Sequence, residues 1–184
     1  VSLAEEELTR IQLTEQQARL LRMLGDRKRA AICGGAGTGK TLLAVQKARE
    51  FAEEGKRTLL LCYNRPLADH LKRVIGKHDN LLPMTFHQLC LWRAKQVQAA
   101  CGRKLLEEAS EQYPGHGGFE VHYPFALACS ADLLADKFDA IVVDEGQDFL
   151  DDYWTALEMQ LASEKASYLY VFYDDNQALY QRSA

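Results

Sequence analysis

The stretch Gly34-Gly35-Ala36-Gly37-Thr38-Gly39-Lys40-Thr41 constrains this chain more than any other. It fits G-x-x-x-x-G-K-[ST] without a mismatch, and its flanks suit it. Ahead of it, Ala30-Ala31-Ile32-Cys33 reads as the end of a buried strand. Behind it, Leu42, Leu43, Val45, Ala48, Phe51 and Ala52 recur at helical spacing until Gly55 stops them. A strand that turns through glycines into a helix lets backbone N–H groups close around an anion, and the helix N-terminus adds partial positive charge. Residues 34–39 are therefore expected to cradle phosphates. Lys40 would reach the β- and γ-phosphates, and the Thr41 hydroxyl would bind Mg²⁺. The ligand this implies is a nucleoside triphosphate.

A second acidic element fits the first. Ala140-Ile141-Val142-Val143 runs straight into Asp144-Glu145-Gly146-Gln147-Asp148. Opposite a phosphate loop, a strand ending in Asp-Glu places Asp144 to hold Mg²⁺ through its water shell. It places Glu145 to orient and deprotonate an attacking water. The last strand, Tyr168–Tyr173, ends in Asp174-Asp175-Asn176-Gln177. Strand C-termini line the ligand crevice of open α/β sheets, so Gln177 is placed to touch a γ-phosphate.

Between these motifs, strands are expected at 29–33, 58–63, 82–85 and 138–143. Helices are expected at 2–10, 15–24 (capped by Thr14), 40–54, 66–77, 87–100, 125–136 and 151–162, with 102–123 irregular. Strands that alternate with helices, and are apolar throughout, predict an α/β fold with a parallel sheet covered on both faces. The chain has 184 residues, 47% of them hydrophobic, which suits a single domain, 1–184, with a small insert. It begins at Val1 and so reads as a fragment of a longer protein.

Five cysteines without C-x-x-C read as free thiols in a reducing compartment, hence a cytoplasmic location; Cys33 and Cys62 read as core. No apolar stretch reaches membrane-spanning length. Net charge is −4, but residues 64–104 hold eight basic residues against Asp69 and Asp79, a local +6. That asymmetry is the footprint of a polyanion-binding face on an acidic body.

Leu13-Thr14-Glu15-Gln16-Gln17, the glycine loop, Thr85-Phe86-His87, Asp144-Glu145-Gly146-Gln147-Asp148 and Gln177-Ala178-Leu179-Tyr180 occur in this order. Together they resemble the first RecA-like domain of UvrD/Rep-like superfamily 1 DNA helicases, over about residues 13–180. The resemblance implies an ATP-binding P-loop domain whose parent couples hydrolysis to movement on single-stranded DNA. It implies that Gln17 reads the adenine edge, with Gln16 or Gln12 as the register alternative, that Gln147 links the phosphate site to the DNA side, and that Gln177 senses the γ-phosphate. It places Tyr63, Asn64 and Arg65, with Thr85, Phe86 and His87, against single-stranded DNA. The family's large inserted subdomain is reduced here to about 90–135. A second RecA-like domain is the implied partner, supplying an arginine in trans. Two positions depart from the family: Tyr173 stands where Gly is usual, and Arg182 where a stacking aromatic is common. The same motifs also suit an ATPase switch, or a nucleotide-dependent DNA-binding module that does not unwind.

Overall fold

Thr58–Cys62 and Ala140–Val143 are buried at every residue, which requires cover on both faces. In the computed structural model, which describes residues 15–34, 39–62, 64–76 and 80–174, they are the inner strands β2 and β4 of a five-stranded sheet. The other strands are β1 (Arg29–Gly34), β3 (Leu81–Thr85) and β5 (Tyr168–Asp174). Every pair is parallel and the order is β1-β5-β4-β2-β3. The domain therefore has the α/β, P-loop-type architecture expected.

Helices α1 (Glu15–Leu24), α2 (Lys40–Glu53) and α3 (Arg65–Ile75) lie in the first half of the chain. Then come α4 (Phe86–Cys101), α5 (Leu105–Gln112), α6 (Tyr123–Leu133) and α7 (Asp151–Glu158). Strand side chains alternate between faces. On one face Leu60, Val142, Tyr170 and Phe172 meet Leu43, Ala44, Ala48 and Phe51 of α2 and Leu71 of α3. On the other, Leu59, Leu61, Ile141 and Val143 meet Leu89 of α4, Leu127 of α6 and Leu157 of α7.

Because all strands run the same way, Gly34, Cys62, Thr85, Val143 and Asp174 end at one edge of the sheet. Local chemistry starts the helices there. Asn64 Oδ1 accepts the Leu67 N–H at 2.8 Å, with Pro66 in the first turn of α3. Thr85 and Gln88 form a reciprocal capping box at α4, with bonds of 3.2 and 2.9 Å.

Several expectations need correction. Residues 102–123 are not irregular throughout: they contain α5 and a π-helical turn at Gly118–His122. Helix α5 is too short to show a period in sequence; Leu105 buries against Val97 and Ala126, and Ala109 one turn on is buried too. Helix α6 starts at Tyr123 and stops at Leu133, α7 stops at Glu158, and the fourth strand is Ala140–Val143, with Phe138 in a lone bridge to Leu161. Cys33 is exposed rather than core, because β1 is an edge strand, whereas Cys62 is buried. The expected helix at 2–10, Thr14, Gly35 to Thr38, Tyr63, Lys77 and Gln177 lie outside the described residues.

The basic segment also needs correction. Arg93 is fully buried. Its guanidinium donates to Gln160, Gln96 and Asp136 at 2.9–3.1 Å, and to the Asp136 carbonyl. Arg103 and Lys104 pair with Glu108 and Glu107. The +6 count thus overstates the open charge. Arg65, Lys72 and Arg73 remain exposed along α3, with Asp69 beside the first two.

Candidate functional site

The two chemical motifs meet at the C-terminal edge of the sheet. Gly39 caps α2 in the left-handed region, φ 78°, which favours glycine. A Cβ there would run into the side-chain amide of Gln17 on α1, so the residue expected to read adenine stands directly against the phosphate loop. Lys40 turns back along the loop and donates to the Gly34 carbonyl at 2.7 Å. Thr41 Oγ1 donates to Asp144 Oδ2 at 2.8 Å, joining the start of α2 to the end of β4.

Asp144 is 3% exposed. Burial raises its carboxyl above the ordinary 3.8; the Thr41 bond opposes the shift, the Glu145 charge adds to it, and the Lys40 charge opposes it. The Glu145 N–H donates to Asp144 Oδ1 at 3.1 Å. Glu145 itself is left-handed, φ 58°, the only non-glycine with positive φ among the described residues. Such a conformation costs on the order of 1–3 kcal/mol and persists only where its surroundings impose it.

Gln147 is one such surrounding. Its amide nitrogen donates to Glu145 Oε2, and its Oε1 accepts the Asp174 N–H at 3.1 Å. Asp174 stands beside Gly34 in the strand register. Lys40, Gly34, Asp174, Gln147, Glu145, Asp144 and Thr41 therefore form a closed circuit of contacts around the crevice. Strand β5, lying between β1 and β4, holds it shut.

Sequence reasoning assigns no role to Gly146 or to the backbone of Asp174. Gly146 is buried, and a Cβ on it would lie 2.5 Å from Val171 Cγ1 and 3.4 Å from the Trp154 ring. The motif needs glycine here because β5 passes so close. Only the partner strand reveals that.

The donor chemistry suits Mg²⁺. Thr41 and Asp144 offer hard oxygen ligands, and the buried carboxylate lacks enough compensating charge. Among the described residues no group of three or more His, Cys, Asp or Glu gathers into a cage. Mg²⁺ is typically held by one or two carboxylates with phosphates and water, which is the set this site could complete.

The nucleic-acid candidates are more divided. Asn64 and Arg65 are exposed at the start of α3, next to the end of β2. Thr85 is buried and committed to the capping box. Phe86 is 4% exposed, with its ring stacked on Tyr153 at 4.0 Å and 10°. Its face is occupied, so the expectation that places Phe86 against single-stranded DNA is corrected: it is a core residue. His87 is half-buried, and burial lowers its pKa from 6.5.

The sequence matches the AAA domain family over residues 16–183, nearly its whole length. The chain belongs to that family. No curated protein matches it. The match agrees with the circuit just described: an AAA domain of this P-loop type is a nucleotide-binding domain of the ATPase class. No helix among this AAA domain's described residues is long and apolar enough to cross a membrane.

Proposed function

We propose that this AAA domain is the ATP-binding motor domain of a superfamily 1, UvrD/Rep-like DNA helicase, coupling ATP hydrolysis to movement along single-stranded DNA. The observation that carries the reading is the double bridge of Gln147. One end of its amide holds Glu145, and the other holds the end of β5. A residue so placed lets the occupancy of the phosphate site act on the sheet edge.

In this reading residues 34–39 cradle the phosphates, and Lys40 leaves the Gly34 carbonyl for the β- and γ-oxygens. Thr41 and Asp144 would hold Mg²⁺, which when bound supplies neutralising charge to the phosphates. Gln17 reads the adenine edge. Glu145 orients the attacking water and takes its proton; its imposed backbone conformation is typical of a residue held for chemistry. Gln177 senses the γ-phosphate. Asn64, Arg65 and His87, with Tyr63 and the Thr85 turn, face single-stranded DNA. A second RecA-like domain is the partner, because an arginine supplied in trans to such a site is worth about 10³–10⁵ in rate.

The test is phosphate release, with and without single-stranded DNA, from the chain joined to its second RecA-like domain. DNA-stimulated turnover that Lys40→Ala and Glu145→Gln both abolish is expected. Turnover indifferent to DNA would favour a nucleotide switch and overturn the motor reading.

A further inference from the structure

Residues 118–122 bring an aromatic ring to the sheet edge that nothing in the motif pattern anticipates. Phe119 is 59% exposed. Its ring centroid lies 4.5 Å from that of His87 and 5.2 Å from that of Tyr123, and His87 and Tyr123 are 5.7 Å apart. The Phe119 carbonyl accepts from the Tyr153 hydroxyl at 2.8 Å. The His87 Nε2 is 3.4 Å from that same hydroxyl. Tyr153 in turn lies flat on Phe86. The buried Phe86–Tyr153 stack therefore anchors the backbone beneath Phe119, while two rings support its side and leave much of its surface to solvent.

The position is as informative as the packing. His87 sits in the first turn of α4, immediately after Thr85 ends β3, so Phe119 lies at the same edge of the sheet as the phosphate loop. Thr85 is register partner to Cys62, and Asn64 and Arg65 follow Cys62 directly. An exposed ring, an exposed guanidinium and an exposed amide thus share neighbouring strand ends. A stacking face beside a cationic track is the chemistry that holds single-stranded nucleic acid without sequence preference.

We propose that Phe119, supported by His87 and Tyr123, is a base-stacking platform for single-stranded DNA, supplied by the insert in place of the buried Phe86. It rests on the single-strand-tracking reading above and adds to it a residue and a mode of contact. The insert then contributes directly to the track, and Arg65 contributes charge while Phe119 contributes the stack.

The experiment is fluorescence anisotropy with a labelled oligothymidylate and an abasic oligonucleotide of equal length and charge, across a salt series, on the 184-residue chain. The unmodified chain should prefer the strand that has bases. Phe119→Ala should weaken oligothymidylate binding by about 5- to 150-fold, the range of one lost stack. It should leave abasic binding, the salt slope and the melting temperature unchanged, and Phe119→Trp should keep the preference. Equal loss on both strands, or no loss on either, overturns the platform. If the unmodified chain binds both strands equally, stacking falls while phosphate tracking stands. If it binds neither, both readings fall, and nucleotide titration separately reports the ATP site.

Discussion

The Thr41 hydroxyl donates to Asp144 Oδ2 at 2.8 Å, and this one bond joins the start of α2 to the end of β4, which strand β5 separates from β1. Both side chains are expected metal ligands, and here each satisfies the other. Thr41→Val keeps the shape and removes the donor. It should cost about 1–3 kcal/mol of stability, because a buried carboxylate oxygen loses its partner. It should also remove the Mg²⁺ dependence of nucleotide binding. Urea unfolding and calorimetric titration with and without Mg²⁺ measure the two effects.

The pH dependence of stability follows from the same carboxylate. Burial raises the Asp144 pKa above 3.8 in the folded chain, so above that pH the folded state holds protons the unfolded chain has released. Stability then falls as pH rises from about 3.8 toward the folded value, the reverse of an ion-paired acid. Asp144→Asn removes this contribution. The stability of Asp144→Asn minus that of the original chain should grow from pH 4 to pH 7. Parallel melting curves across that range check it, and a constant difference would show that Asp144 does not carry this burden.

Gly146 is held small by β5. Gly146→Ala would drive a methyl to within 2.5 Å of Val171 Cγ1. Overpacking of this kind costs about 1–3 kcal/mol. Val171→Ala removes the obstructing methyl, so the double variant should recover part of the loss. Denaturant midpoints for both single variants and the double variant give the coupling, and additivity would refute the contact.

Phe86→Ala should act on stability. Removing a buried aromatic ring costs about 3–5 kcal/mol, and Tyr153 and Phe149 would lose their ring contacts with it. The loss should appear in the melting curve with no nucleic acid present. A variant that melts normally but loses single-strand affinity would restore Phe86 to the surface role that its burial denies.

Much of this domain is local, and local features were legible in the chain. The glycine loop, the fully apolar strands and the Asp144-Glu145 pair announce themselves through spacing and residue type, whereas the capping roles of Asn64 and Thr85 come from the folded chain. The phosphate-site architecture follows from them, because a parallel sheet brings all its strand ends to one edge. What sequence could not decide is which side of a surface each residue occupies. Arg93 counts as a positive charge in sequence, yet Asp136 and Gln160, distant along the chain, draw it into the interior. Phe86 reads as a single-strand contact until Tyr153 covers its ring. Gly146 has no evident reason to be glycine until Val171 is set beside it, and Phe119 looks like a loop residue until His87 lies against it. Each outcome depends on a contact between residues far apart in sequence, and only the folded chain brings such residues together.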